Sequence, residues 1–171
     1  MKINTKSTLT AAMLTALAVS LSTFAIPIGA SKCFPIQHLC NVIAGVFLGP
    51  GYGVAMAFCT SLIRNLIGTG SPLAFPGSMV GAFLCGFLYQ HTGKLAAAYF
   101  GEVFGTGIIG GLLCYPVATL LMGQEAALFA YVIPFLISTA GCTVMAMILV
   151  GALYQSGAMS YLKGVLGGTA R

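Results

Sequence analysis

Residues 95–122 read LAAAYFGEVFGTGIIGGLLCYPVATLLM, an apolar run interrupted by one charged residue, Glu102. Roughly 20 apolar residues in a helix cross the ~30 Å hydrocarbon core of a bilayer, so this run is long enough to span it. Residues 128–154, LFAYVIPFLISTAGCTVMAMILVGALY, repeat the pattern with no charge at all.

The rest of the chain agrees with these two runs. Of its 171 residues, 58% are hydrophobic and 5% charged, and mean hydropathy is +1.01. A water-facing domain carries about a quarter charged residues to keep its surface hydrated. Seven Lys and Arg with two acidic residues cannot do that here, so lipid must cover the exterior. The 23 Gly and seven Pro fit the same class, because small residues let membrane helices approach closely.

The length accommodates about six spans. The expected class is an all-α membrane protein, one transmembrane domain over 1–171, with helices near 7–28, 36–48, 52–67, 77–90, 95–122 and 128–154. Pro27 and Gly29 mark the end of the first. Lys2 and Lys6 before an apolar run resemble a signal peptide, but Ser7 to Ile28 exceeds a usual signal core. Lys32 before Cys33 spoils a lipoprotein-type cleavage site, so the segment reads as a retained helix. The second helix covers only about 20 Å at 1.5 Å per residue and must shelter against its neighbours. Gly68 to Pro76 is an ordered loop. The tail from Gln155 is mildly amphipathic and ends basic.

Six spans put both termini on one side. With that side cytoplasmic, Lys2, Lys6, Lys94, Lys163 and Arg171 lie inside, and Lys32 and Arg64 outside, in keeping with the positive-inside rule. These basic residues are scattered at helix ends, which excludes a nucleic-acid-binding face. The six Cys form no CxxC and sit mostly in apolar runs, which argues against a disulfide framework or a zinc site. There is no Walker A loop, HExxH, GxSxG or acidic pair, so no catalytic residue, metal or cofactor is assigned. No long repeat points to an inverted-repeat transporter.

Candidate binding residues group by position. Gln37, His38 and Asn41 share one turn and make either a pocket wall or a solvated helix end. Arg64 and Asn65 precede the Gly/Pro-rich loop, and Arg64 either snorkels to headgroups or meets a ligand. Phe75 and Ser78 flank Pro76 at the start of the fourth helix, where free backbone N–H groups can hold an electronegative atom. Glu102 reads first as an internal hydrogen-bonding group and second as a ligand contact. Tyr115, Tyr131, Ser138 and Thr139 lie in the outer half of the last two helices, as interface belt or pocket lining. Ala12, Ala16 and Ser20 form a smooth stripe on which another helix can lie.

Pro35-Ile36-Gln37-His38, Asn41, Leu48-Gly49-Pro50, Ser61-Leu62-Ile63-Arg64-Asn65, Gly68-Thr69-Gly70 and Ala74-Phe75-Pro76-Gly77-Ser78 together resemble the ThiW family, as do Gly101-Glu102 and Gly105-Thr106-Gly107. These are thiazole-type substrate-binding (S) components of energy-coupling factor (ECF) transporters. The resemblance runs from about Leu9 to Tyr154. It implies a six-helix S-component bundle in the prokaryotic cell membrane that captures a thiamin precursor, hydroxyethylthiazole, near the outer surface. It also implies a transmembrane coupling protein and two cytosolic ATPase subunits as partners, with docking on an Ala-x-x-x-Ala stripe matched by Ala12 and Ala16; Ser20 departs from a third Ala. A ligand of about nine heavy atoms can gain at most about −13 kcal/mol, so tight capture requires an occluding loop such as Ala30 to Pro35 or Gly68 to Pro76. The competing readings are an autonomous small-solute facilitator or channel, and a membrane thiol enzyme using Cys33 or Cys40 with His38.

Overall fold

The computed structural model describes residues 4–24, 26–28, 31–123, 125, 127–157 and 164. Among the described residues, helices follow one another with short connections: α1 (Thr5–Ser20), α2 (Pro35–Phe47), α3 (Pro50–Leu66), α4 (Ala74–Thr92), α5 (Leu95–Leu121) and α6 (Val132–Gln155). Local chemistry sets the boundaries. The Asn4 side chain accepts from the Lys6 N–H at 3.0 Å and caps α1. Pro35 and Pro50 sit in the first turns of α2 and α3, where a missing N–H costs nothing. Gly93 ends α4 at φ 66°, a left-handed conformation that an L side chain resists.

The first helix stops at Ser20, well short of Ile28. A single 3₁₀ turn, Leu21–Thr23, follows, and then an antiparallel hairpin of β1 (Ile26–Ile28) and β2 (Ser31–Cys33), with Ile26 opposite Cys33. Pro27 cannot donate within a helix, and the flanking β-branched Ile residues favour extended backbone. This hairpin belongs to the connection between α1 and α2, and the bundle itself is helical, as expected. Helix α4 begins at Ala74, so Pro76 falls inside its first turn and not in a loop. Lys2, Gly29, Ala30, Lys163, Arg171 and most of the tail lie outside the described residues, as do the side chains of Lys32 and Cys33.

Helix α5 is continuous but not uniform. Val103–Gly110 and Val117–Leu121 are π-helical. The second stretch follows Pro116, whose missing N–H interrupts the i to i−4 ladder. Its contact with α4 is close: a Cβ on Gly101 would lie 2.7 Å from the Leu84 backbone, so only glycine permits this approach.

Polar side chains are buried beside an apolar core of Val42, Val46, Phe47, Met56 and Val150, and large apolar side chains face outward. Arg64, Glu102, Asn41, Thr60, Ser61, Thr139 and Thr143 are buried, whereas Leu66, Phe100, Leu120, Leu121, Ile133 and Ile148 are exposed. Water would leave so large an apolar surface unstable, and lipid would not. Helices α5 and α6 are long and apolar enough to cross a membrane by length and composition. The others are shorter or less apolar, so this measure marks two spans where six are expected.

Cys142 is disulfide-bonded, against the expectation drawn from the absence of a CxxC spacing. Folding can join cysteines at any sequence separation, so spacing carried no information about this bridge. Cys40, Cys85 and Cys114 are free and buried, and Cys59 is free and exposed.

Candidate ligand-binding site

Helix direction alternates along the chain, so the start of α2, the end of α3, the start of α4, the end of α5 and the start of α6 converge at one end. The Asn4 N–H bonds the Tyr52 hydroxyl at 2.9 Å, which fixes the start of α1 to the start of α3 at the opposite end. A cavity of about 450 Å³ opens where the five helix ends meet, lined among others by Phe34, Gln37, His38, Arg64, Ser78, Thr106, Tyr131, Phe135, Ser138 and Thr139.

Its base is a buried polar cluster. Glu102 Oε1 lies 2.9 Å from His38 Nδ1 and accepts from Asn41 Nδ2 at 3.0 Å and Thr106 Oγ1 at 3.4 Å. Asn41 also donates to the Ser78 carbonyl at 3.4 Å, so one side-chain cluster joins α2, α4 and α5. With Nδ1 held by the carboxylate, the ring of His38 is oriented and its other nitrogen is left for the cavity it lines. Gly81 makes room for this arrangement. A Cβ there would overlap Thr106 Oγ1 and sit 2.9 Å from Glu102 Oε2.

The cover is organised by Arg64, which is fully buried. Its guanidinium donates to Gln37 Oε1 through Nη1 and to the Thr69 carbonyl through Nη2 at 3.3 Å, and stacks 3.6 Å above the Phe34 ring. Its main-chain carbonyl accepts from Thr69 N–H and Gly70 N–H, both at 2.9 Å. Asn65 does not line the cavity. It donates to the Ser61 carbonyl at 2.8 Å and the Ser71 carbonyl at 3.1 Å, and so braces residues 68–71 over the opening. Ser22, just after α1, meets Thr69 at 3.2 Å and closes that corner.

Of the residues picked out from sequence, Gln37, His38, Arg64, Ser78, Tyr131, Ser138 and Thr139 line the cavity. Asn41 and Glu102 lie beneath it as positioning groups. Phe75 and Tyr115 are outside the lining, which corrects their reading as ring contacts. The helix starts earlier than expected, and Phe75 packs on Phe58 with centroids 5.6 Å apart. Phe34, Thr69, Thr106 and Phe135 line the cavity and were missed. Phe34 directly precedes Pro35, an aromatic at a helix entrance, and that position was the available signal. Ala12, Ala16 and Ser20 are exposed on α1, away from the face that buries Ser7, Ala11, Thr15 and Ala18.

This architecture is similar to a solved structure of the S component of a bacterial ECF transporter. The two share 21% identity and a TM-score of 0.73, over 88% of this chain and 96% of that one. The fold is thus that of an S component. The family model for thiamine-precursor transporter protein (ThiW) matches residues 8–156, and the chain belongs to that family. No curated protein matches. It is therefore a membrane transport protein for a thiamine precursor, and the family implies no catalysis.

Proposed function

We propose that this protein is the substrate-binding subunit of an ECF-type importer, capturing hydroxyethylthiazole at the outer face of the cell membrane. The observation that carries the reading is the covered chamber, which offers a flat heterocycle both aromatic and polar walls. Phe34 and Phe135 supply ring faces, and Gln37, His38, Ser78 and Ser138 supply partners for a ring nitrogen and a hydroxyl. In this reading all six helices span the bilayer, with both termini cytoplasmic and the chamber outside. Lys6 and Lys94 then lie at the inner end, in keeping with the positive-inside rule. A transmembrane coupling protein docks on Ala12, Ala16 and Ser20, and two cytosolic ATPases supply the energy.

The chamber is closed below by the Glu102 cluster, which argues against a continuous pore. A thiol enzyme is disfavoured because Cys40 is not in the lining and His38 Nδ1 is committed to Glu102. Calorimetry on the purified chain tests the ligand: heat on titrating hydroxyethylthiazole supports it, and none with any thiazole defeats it. Uptake into liposomes holding this chain alone, without ATPases, would instead establish a facilitator.

A further inference from the structure

Arg64 is fully buried, and no carboxylate among the described residues lies within ion-pair distance of it. Its partners are an amide oxygen, a backbone carbonyl and a π face, all neutral, and its Nε–H has no partner. The chain has two acidic residues. Glu102 is paired with His38, and Glu125 is exposed in the segment before α6. A guanidinium taken out of water without a counter-charge carries a large desolvation penalty that neutral partners offset only in part. Arg64 nevertheless lines the chamber, as does Thr139, whose buried hydroxyl is also unpartnered.

Resting on the transport role and chamber proposed above, but putting an acidic relative in place of the neutral alcohol as the preferred ligand, we infer that the ligand brings the missing charge: it is a thiazole-type heterocycle bearing an acidic group, either a carboxylate or a phosphate monoester, that pairs with Arg64. The planar guanidinium suits both acids, because each offers two oxygens to its fork. The chamber has the room. At about 30 Å³ for each water-sized group, 450 Å³ holds roughly 15 non-hydrogen atoms. The neutral alcohol has about nine, as has a methylthiazole carboxylate, and a phosphate ester adds about four, so of the two acids the phosphate monoester fills space the alcohol leaves empty.

The test is calorimetry on the full chain in lipid nanodiscs, with hydroxyethylthiazole, its phosphate ester and a methylthiazole carboxylate titrated separately. One acid should bind roughly tenfold or more tighter than the alcohol, and whichever is tighter assigns the group. In Arg64→Gln the ratio of acid to alcohol affinity should fall toward one, and in Arg64→Lys it should fall only part of the way. An alcohol that binds as tightly as both acids overturns the inference and leaves the transport reading standing. Failure of all three ligands removes both. An unchanged ratio in Arg64→Gln overturns the assignment to this residue, and the wild-type comparison holds even where that variant does not fold.

Discussion

Glu102 offers the sharpest test of how the chamber is built. Truncating it in Glu102→Ala removes the acceptor of His38 Nδ1–H, Asn41 Nδ2–H and the Thr106 hydroxyl together. Removing one partner of a buried pair costs about 3–5 kcal/mol. Against that, Glu102 Oε2 is itself buried without a partner, a standing cost of about 1 kcal/mol that truncation relieves. Asn41 keeps its bond to the Ser78 carbonyl. The net loss is then about 2–4 kcal/mol, which for a chain of this size lowers the melting point by about 4–16 °C. Glu102→Gln keeps an oxygen for His38 and Asn41 and should lose less than half as much. Thermal unfolding of detergent-solubilised protein reads stability, and calorimetry reads ligand affinity, which should weaken about tenfold as His38 loses its orientation. Two results would refute the reasoning: Glu102→Ala melting within about 2 °C of wild type, or Glu102→Gln proving as damaging as the truncation.

Three further outcomes follow from the geometry. Asn65→Ala removes the brace on the Ser71 carbonyl at a cost of about 1–3 kcal/mol and should raise the ligand off-rate more than it lowers the on-rate, measurable by stopped-flow fluorescence. Gly81→Ala drives a methyl into Thr106 and Glu102 and should destabilise by about 1–3 kcal/mol on thermal unfolding, whereas Gly141→Ala, with open space around it, should cost under about 0.5. Ala16→Leu on exposed α1 should leave ligand affinity within about twofold but reduce uptake when the coupling protein and ATPases are present; normal uptake would move the docking surface elsewhere.

Helical character was legible because apolar run length reports directly on it, as in residues 95–122 and 128–154. The end of α1 was less so: nothing between Ser7 and Ile28 breaks the apolar run except Pro27, and the hairpin depends on contact between β2 and α6 that no local pattern encodes. Arg64, Gln37 and His38 stood out because such side chains are costly in an apolar setting and need a reason to be there. Glu102 is an internal group whose partner His38 is 64 residues away, and only folding shows the pair. Apolar lining residues such as Phe34 and Phe135 look in sequence like any other membrane-helix residue. Phe75 misled because it belongs to the first turn of α4, where it packs on Phe58, and not to the covering loop.

Arg64 grips the chamber wall with its side chain and the covering turn with its main chain. Selectivity and closure are therefore welded together at a single position, and altering one alters the other. Redesign of what this protein captures would be better begun at Ser138 or Phe135, which line the chamber from α6, where the choice of cargo can change while the door still shuts.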